Sequence, residues 1–262
     1  MCMYILDDGI RLNAKLDLPV KEREQYPLVI VIHGFTGNME EQHITAVSQV
    51  LNEIGCATLR VDMYGHGKSD GSFADHTLYK WLTNTLTVID YARGLEFVSD
   101  IYLCGHSQGG LTVMLAAGMK HDCIRGIIPM SPAVMIPDQA RAGKLLGVPF
   151  DPNHIPDTIV CVEYSWKLKG IYIRVAQTIY AENIYTRFIG PVLLVHGDAD
   201  ESVPVTCSID AQKLYRNAEL EMITGDTHCY DFHLDKAVRA VKEWMQAQLE
   251  KDTGSCYDKQ NT

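Results

Sequence analysis

A chain of 262 residues with 47% hydrophobic and 21% charged side chains has the size and composition of one large globular domain. Its formal net charge of −10 disfavours nucleic acids and anionic membrane surfaces as partners, because both would repel it. Eight scattered cysteines, a charged N-terminal segment and no apolar run of roughly 20 residues predict a cytoplasmic protein without metal, cofactor or signal peptide.

The chain opens with a predicted β-hairpin, because apolar and polar residues alternate over 3–6 and 12–18 around Asp8-Gly9. Predicted strands and helices then alternate along the chain. In chain order they are strand 28–32, helix 39–54, strand 57–61, helix 78–93, strand 101–103, helix 111–119, strand 124–130, strand 191–195, helix 206–217, strand 219–223 and helix 231–249. This order predicts an α/β fold with a mostly parallel central sheet and helices on both faces.

Residues 133–189 interrupt the alternation after the sixth predicted strand. This segment is rich in proline and shows no strand–helix pair of the usual spacing. Connections between strands and helices in such domains usually run about two to six residues. We therefore interpret residues 1–262 as a single domain that carries an inserted subdomain at 133–189, called the insertion below.

The segment Gly105-His106-Ser107-Gln108-Gly109 has the Gly-x-Ser-x-Gly pattern between a predicted strand and a predicted helix. In that context the pattern indicates a nucleophile on a sharp turn, which exposes the serine hydroxyl at the edge of the sheet. The helix that follows offers N–H groups and a partial positive charge to an oxyanion. Ser107 is therefore predicted to be the nucleophile of a serine hydrolase.

A serine nucleophile needs a base, and in doubly wound hydrolases the chain order is Ser, then Asp or Glu, then His. Of the ten histidines, His228 alone combines this order with a position in the loop after the last strand. We interpret His33 and His196 as structural hydrogen-bonding groups and His106 as pointing away from the nucleophile. Four others are predicted to lie at the surface, namely His43, His76, His121 and His233.

The acid that orients His228 is predicted in the loop before the fourth helix of the pattern, residues 206–217. Asp198, Asp200 and Glu201 crowd that loop, and their spacing does not separate them. Asp226 is disfavoured because it is too close in sequence to His228, although it can bond the backbone of its own loop.

Two backbone N–H groups are predicted to form an oxyanion hole. One belongs to Gln108, directly after the nucleophile. The other belongs to Phe35, where the sequence His33-Gly34-Phe35 lets the backbone approach a substrate closely.

Several segments together carry a resemblance to a known family. They are His33-Gly34-Phe35-Thr36-Gly37, residues 62–71, the Ser107 turn, residues 195–204, Gly225-Asp226-Thr227-His228-Cys229 and, in the insertion, Asp151-Pro152-Asn153-His154-Ile155-Pro156. With them the chain resembles the α/β-hydrolase superfamily and, more narrowly, the feruloyl (cinnamoyl) esterases of gut and rumen bacteria. The serine turn and the His-Gly pair are common across the superfamily, whereas the combination with the segment in the insertion indicates a much narrower group of proteins.

The resemblance implies roles for individual residues. It implies that Asp200 is the acid, as the residue three positions after glycine in the pattern His-Gly-x-x-Asp. It also implies that the insertion caps the active site, with Asp138 and Tyr172 bonding the hydroxyl of a phenolic ring. Trp166 is interpreted as an aromatic wall for that ring. In the alternative interpretation, Asp138 caps a helix and Tyr172 packs within the insertion.

The resulting hypothesis is a serine esterase that hydrolyses hydroxycinnamate esters through an acyl-enzyme on Ser107. A short-chain carboxylesterase or a monoacylglycerol lipase is the main alternative. A lipase would need a long apolar channel, whereas the insertion intersperses charged and aromatic residues. A binding module without catalysis is a more distant alternative, because such proteins usually lose one of the three catalytic residues. The expected partner is a small aromatic ester, and a homodimer is left open because no segment singles out an interface.

Overall fold

The structure, a computed structural model, describes residues 1–161 and 165–258. Its strands are β1 (Cys2–Asp7), β2 (Ile10–Asp17), β3 (Tyr26–Ile32), β4 (Ala57–Val61), β5 (Val98–His106), β6 (Gly126–Met130), β7 (Lys144–Leu145), β8 (Val148–Pro149), β9 (Thr158–Cys161), β10 (Trp166–Lys169), β11 (Val192–Gly197) and β12 (Ala218–Ile223). Its helices are α1 (Gln42–Glu53), α2 (Leu78–Arg93), α3 (Gln108–Met119), α4 (Ile136–Arg141), α5 (Ile171–Gln177), α6 (Glu182–Tyr185), α7 (Thr206–Leu214) and α8 (Leu234–Asp258), with a 3-10 turn at Phe73–Asp75. Among the described residues, no helix has both the length and the apolar character that crossing a bilayer requires.

Within the described ranges, eight strands form one sheet in the order β1-β2-β4-β3-β5-β6-β11-β12. The pairs β1–β2 and β2–β4 are antiparallel, and all other neighbours in this sheet are parallel. Asp8 and Gly9 form the hairpin turn with positive φ angles of 53° and 84°. The predicted α/β fold, with its N-terminal hairpin and mostly parallel sheet, is confirmed.

The central strand β3 shows why both faces of the sheet need helices. Leu28, Ile30 and Ile32 are fully buried in the core that α2 and α3 complete. Val29 and Val31 are fully buried on the opposite face, in a second core with residues of α1 and α8. A strand buried on both sides must be apolar throughout, which is the pattern that predicted this arrangement.

Most predicted elements are found within a few residues of their expected limits, and the helix predicted over 78–93 coincides with α2. The largest shift concerns α8, which begins at Leu234 rather than at residue 231 and extends past residue 249. The start is delayed because the Asp226 carboxylate accepts hydrogen bonds from the amides of Phe232 and His233, at 3.1 and 3.0 Å. These bonds hold the preceding residues in a turn.

The insertion is more regular than its sequence predicts. The strands β7 and β8 form one short antiparallel hairpin, and β9 and β10 form another. Residues 162–164, between β9 and β10, lie outside the described residues. One residue separates β10 from α5, a strand–helix pair that the sequence did not reveal, because strands of two to four residues are too short to show periodicity. Helix α4 packs on α5, and α6 packs on α3, the helix that follows Ser107.

Candidate active site

Ser107 occupies a strained turn between β5 and α3. Its φ of 56° and ψ of −119° lie outside the usual regions for a residue with a side chain. Its amide donates to the carbonyl of Met130 at 2.9 Å, and its carbonyl accepts from Ala133 at 3.0 Å, so both neighbouring segments hold the turn. A Cβ atom at Gly105 would overlap the carbonyl of Gly109, which explains the glycines of the motif. Strain of this kind persists where the surroundings over-determine it, as at active sites.

Asp200 and His228 come together at the same edge of the sheet. The Nδ1–H of His228 donates to Oδ2 of Asp200 at 2.6 Å, which leaves Nε2 as the nitrogen free to accept a proton. The amides of Ser202 and Val203 both donate to Oδ1 of Asp200 at 2.8 Å. His196 adds a contact of 3.2 Å from its Nε2 to Oδ2. The Asp200 side chain is fully buried, whereas that of His228 is 19% exposed.

The electrostatic surroundings keep Asp200 ionised. Burial by itself raises the pKa of this carboxyl group, but the hydrogen bonds from His196 and His228 outweigh it and hold the pKa below its ordinary value. An ionised carboxylate on Nδ1–H fixes the ring of His228 and stabilises the imidazolium that forms when Nε2 takes a proton. This arrangement can therefore serve proton transfer to and from a nucleophile.

The other carboxylates near His228 have different partners. Asp198 is exposed and accepts a hydrogen bond from the amide of Gly225 at 2.6 Å. Asp226 is fully buried and bonds the amide of Thr227 at 2.9 Å as well as the start of α8. The geometry thus separates the candidates that spacing left together, since it pairs Asp200 with His228.

Ser107 and His228 line one cavity of about 710 Å³ at the carboxyl ends of the parallel strands. One part of its wall comes from the loop after β3 and another from the loop after β11. His106 and Cys229 also line it, and the insertion supplies Ala133, Ile136, Gln139, Lys144, Leu146, Gly147 and Trp166. Ligands in open α/β sheets bind at this edge, so the cavity has the expected position for a substrate.

The two predicted oxyanion residues flank the nucleophile. Gln108 is the first residue of α3, so its amide belongs to the helix N-terminal group that lacks an intrahelical partner. Gly34, the neighbour of Phe35, lies so close that a Cβ there would be 3.2 Å from Cβ of Ser107. His66 fixes this loop because its Nε2 lies 2.5 Å from the carbonyl oxygen of Phe35. The amides of Gln108 and Phe35 thus belong to the two segments that border Ser107.

Of the three predicted ring-binding residues, the structure brings Trp166 to the cavity. Its ring packs edge-on against that of Phe35 with centroids 5.5 Å apart. Tyr172 is fully buried and is not in the cavity wall, because its hydroxyl donates to Oε1 of Gln108 at 2.6 Å. Asp138 lies in the first turn of α4, pairs with Arg141 and lines a separate crevice. Neither Asp138 nor Tyr172 faces the Ser107 cavity in this arrangement.

Two histidines that the sequence placed at the surface are buried. His76 is fully buried, and its Nδ1–H donates to the carbonyl of Phe73 at 2.5 Å. His43 is 4% exposed on α1. Burial lowers the pKa of His43 to about 4 and, with the neighbouring His66, that of His76 to about 3. These predictions are wrong because hydropathy alone assigns histidine to solvent, whereas neutral imidazole packs readily in a core.

Sequence reasoning also missed a row of rings behind His228. The rings of His43 and His106 lie 4.3 Å apart, and those of His106 and His228 lie 4.6 Å apart. The Nε2–H of His106 donates to the carbonyl of His228 at 2.8 Å, which holds the loop of the base from behind. Burial, with His43 and His228 nearby, lowers the pKa of His106 well below its ordinary value, so this ring stays neutral. The position of His43 beside Ile44 on the buried face of α1 was the available signal.

Glu41 is another ionisable residue of the cavity wall that the sequence did not single out. It lines the cavity, and its Oε2 lies 3.9 Å from Nε2 of His43. Burial raises the pKa of the Glu41 carboxyl group. In the ranges 1–161 and 165–258, no group of three or more His, Cys, Asp or Glu side chains is arranged to hold a metal ion.

Comparisons with known proteins agree with this geometry. The family Hydrolase_4, described as serine aminopeptidase S33, matches residues 23–167. A solved structure of Est1E from Butyrivibrio proteoclasticus with ferulic acid bound is 59% identical, with a TM-score of 0.93 over 95% of this chain and 99% of that one. A second Est1E structure is 56% identical, with a TM-score of 0.90 over the same shares.

Among curated proteins, the mitochondrial palmitoyl-protein thioesterase ABHD10 of cattle is 24% identical over 75% of this chain. The mouse protein of the same name is 32% identical over 75% of the chain. The chain spans 64% of the bovine protein and 66% of the mouse protein.

Proposed function

The chain belongs to the Hydrolase_4 family of α/β-hydrolases. We propose that it is a serine esterase acting on hydroxycinnamate esters. One observation carries the choice of substrate. Est1E, whose structure has ferulic acid bound, is 59% identical and aligned over 99% of its length. Ferulic acid is a hydroxycinnamate, and it is the acid that hydrolysis of a feruloyl ester releases.

In the proposed reaction, Oγ of Ser107 attacks the ester carbonyl carbon while Nε2 of His228 takes the hydroxyl proton. Asp200, held ionised by its hydrogen bonds, stabilises the imidazolium. The amides of Phe35 and Gln108 stabilise the tetrahedral oxyanion. The C–O bond to the alcohol then breaks, and the imidazolium protonates the leaving oxygen. A water molecule, deprotonated by the same imidazole, then attacks the carbonyl carbon of the acyl-enzyme. The bond from that carbon to Oγ of Ser107 breaks, the imidazolium protonates Oγ, and the carboxylic acid leaves.

We propose that the insertion, residues 133–189, caps the site and receives the aromatic acyl group. Its Trp166 and the neighbouring Phe35 supply two rings at the cavity, and aromatic pairs favour such edge-on contacts. We assign the ring contact to Trp166, since Asp138 and Tyr172 lie outside the wall of the cavity.

A panel of esters tests the substrate. Methyl ferulate and methyl caffeate should exceed p-nitrophenyl butyrate, a monoacylglycerol and a palmitoyl thioester in kcat/KM by about tenfold or more, a difference of about 1.4 kcal/mol in transition-state binding. A tenfold advantage for the lipid ester or the thioester would contradict the proposal. Ser107→Ala should abolish every activity of the panel, which excludes a contaminating esterase.

A further inference from the structure

Tyr172, on α5 of the insertion, contacts both residues that border the proposed oxyanion hole. Its side chain is fully buried. Its hydroxyl donates to Oε1 of Gln108 at 2.6 Å. Its ring packs edge-on against that of Phe35, with centroids 5.9 Å apart and planes at 80°. One residue of the insertion thus touches the two residues whose amides flank Ser107.

The polar end of the Gln108 side chain depends on its hydrogen bond with Tyr172. Gln108 is fully buried, and its Nε2 has no hydrogen-bond partner among the residues that the structure describes. The bond from Tyr172 is therefore what holds this side chain on its polar end. A buried acceptor that loses its donor is costly, so the side chain would shift if the hydroxyl were removed.

The contact with Phe35 is equally enclosed. The ring of Phe35 is surrounded by Phe73, His76, Trp166 and Tyr172, all with centroids within 5.9 Å. His66 holds the carbonyl of Phe35 from the other side. The backbone of the loop is therefore set between a hydrogen bond and a packed ring, and Tyr172 forms part of that packing.

We propose that Tyr172 is a positioning residue that fixes the oxyanion amides of Phe35 and Gln108. This rests on the proposed esterase function in one respect, the use of those amides at an acyl carbonyl. Stabilisation of an oxyanion depends on donors held in place before the reaction, so a small displacement lowers kcat. The insertion then contributes to the chemical step as well as to substrate binding.

Tyr172→Phe tests this with two substrates, because it removes the hydroxyl and keeps the ring. For both methyl ferulate and p-nitrophenyl acetate, kcat should fall by about tenfold while KM stays within twofold. The acetyl group of p-nitrophenyl acetate has no phenol, so a residue that bonds a phenolic hydroxyl would affect methyl ferulate alone. A selective loss on methyl ferulate, a rise in KM at constant kcat, or an unchanged kcat would overturn the proposal.

Tyr79→Phe is a matched control. The hydroxyl of Tyr79, on α2, also ties the main domain to the insertion, through Oγ1 of Thr178 at 2.7 Å. Tyr79 is exposed, and Thr178 follows the C-terminal end of α5. This variant should keep kcat within twofold on both substrates. A tenfold loss there as well would show that loosening the insertion in general accounts for the effect.

Gln108→Met supplies the second arm and covers the case in which Tyr172→Phe fails to fold. It removes the acceptor of the hydroxyl and leaves the backbone amide of residue 108, so kcat should again fall by about tenfold. The double variant should lose much less than the product of the two single losses, because both remove one interaction. Losses that multiply would overturn the proposal. If the wild-type protein hydrolyses p-nitrophenyl acetate but not methyl ferulate, the substrate assignment fails. The role of Tyr172 can then still be tested by comparing kcat on p-nitrophenyl acetate between the variants.

Discussion

The sheet edge and the insertion hold their functional residues by different means. At the sheet edge, Asp200 has backbone amides on one oxygen and imidazoles on the other, so its position is over-determined. In the insertion, Trp166 faces the cavity, Tyr172 is buried behind it and Asp138 lies in another crevice. We therefore expect the triad to depend mainly on bonds within the main domain, and the choice of acyl group to depend on packing in the insertion.

The largest expected effect comes from the sheet edge, with Ser107→Ala. Loss of the nucleophile should lower kcat on p-nitrophenyl acetate by about a millionfold. Labelling by a fluorophosphonate should vanish with it. Ser99→Ala, at the opposite end of the same strand β5, should retain both activity and labelling. Labelling that persists in Ser107→Ala would place the nucleophile elsewhere.

Asp200→Asn should follow, with a fall in kcat of about 10⁴-fold, because an amide can stabilise the wrong tautomer of His228 and does not stabilise the imidazolium. Asp198→Asn is the comparison, since that carboxylate bonds the amide of Gly225 instead. It should change kcat by no more than about threefold. Steady-state kinetics of the pair decides the assignment, and equal losses would remove Asp200 from its role.

The histidines behind the sheet edge should make stability depend on pH. The pKa of His43 is lowered from 6.5 to about 4 by burial, so the folded protein keeps it neutral while the unfolded chain protonates it. Stability from this group is complete above pH 6.5 and is lost as the pH falls towards 4. Between pH 7 and pH 5 the loss should be roughly 2 kcal/mol in the free energy of unfolding.

Urea denaturation of wild type and His43→Gln at both pH values measures this loss. The free energy of unfolding of the variant should fall less between pH 7 and pH 5, by the amount that His43 contributes. Ser48→Ala, on the same buried face of α1, carries no titratable group. It should therefore cost the same free energy at pH 7 and pH 5. An equal pH dependence in wild type and His43→Gln would contradict the buried neutral state of His43.

The smallest effects are expected in the insertion. Trp166→Ala should lower kcat/KM for methyl ferulate by about tenfold, the loss of an aromatic contact of about 1.4 kcal/mol, with less effect on p-nitrophenyl acetate. Asp138→Asn should stay within about twofold on both esters, because its carboxylate pairs with Arg141 outside the cavity. If Asp138→Asn selectively impaired methyl ferulate, the insertion would have to rearrange on binding.

Much of the sheet edge was predictable because its signals are local. The continuous apolar run of β3, the Gly-x-Ser-x-Gly turn and the loop position of His228 are each written within a few neighbouring residues. Asp200 needed the family resemblance, since Asp198 and Glu201 share its loop and the same spacing. The hydrogen bonds of the structure separate it from Asp198 independently of that resemblance.

By itself, then, the sequence determined the α/β order of elements, the strained turn at Ser107 and the chain order of nucleophile, acid and base. Periodicity and chain order express these features directly, because each depends on neighbours along the chain. Only the tertiary structure decided that His43 and His76 are buried, that Trp166 reaches the cavity and that Tyr172 bonds Gln108. These features depend on contacts between segments that are distant in the sequence. The strands and helices of the insertion are too short for their residue pattern to predict how the insertion packs.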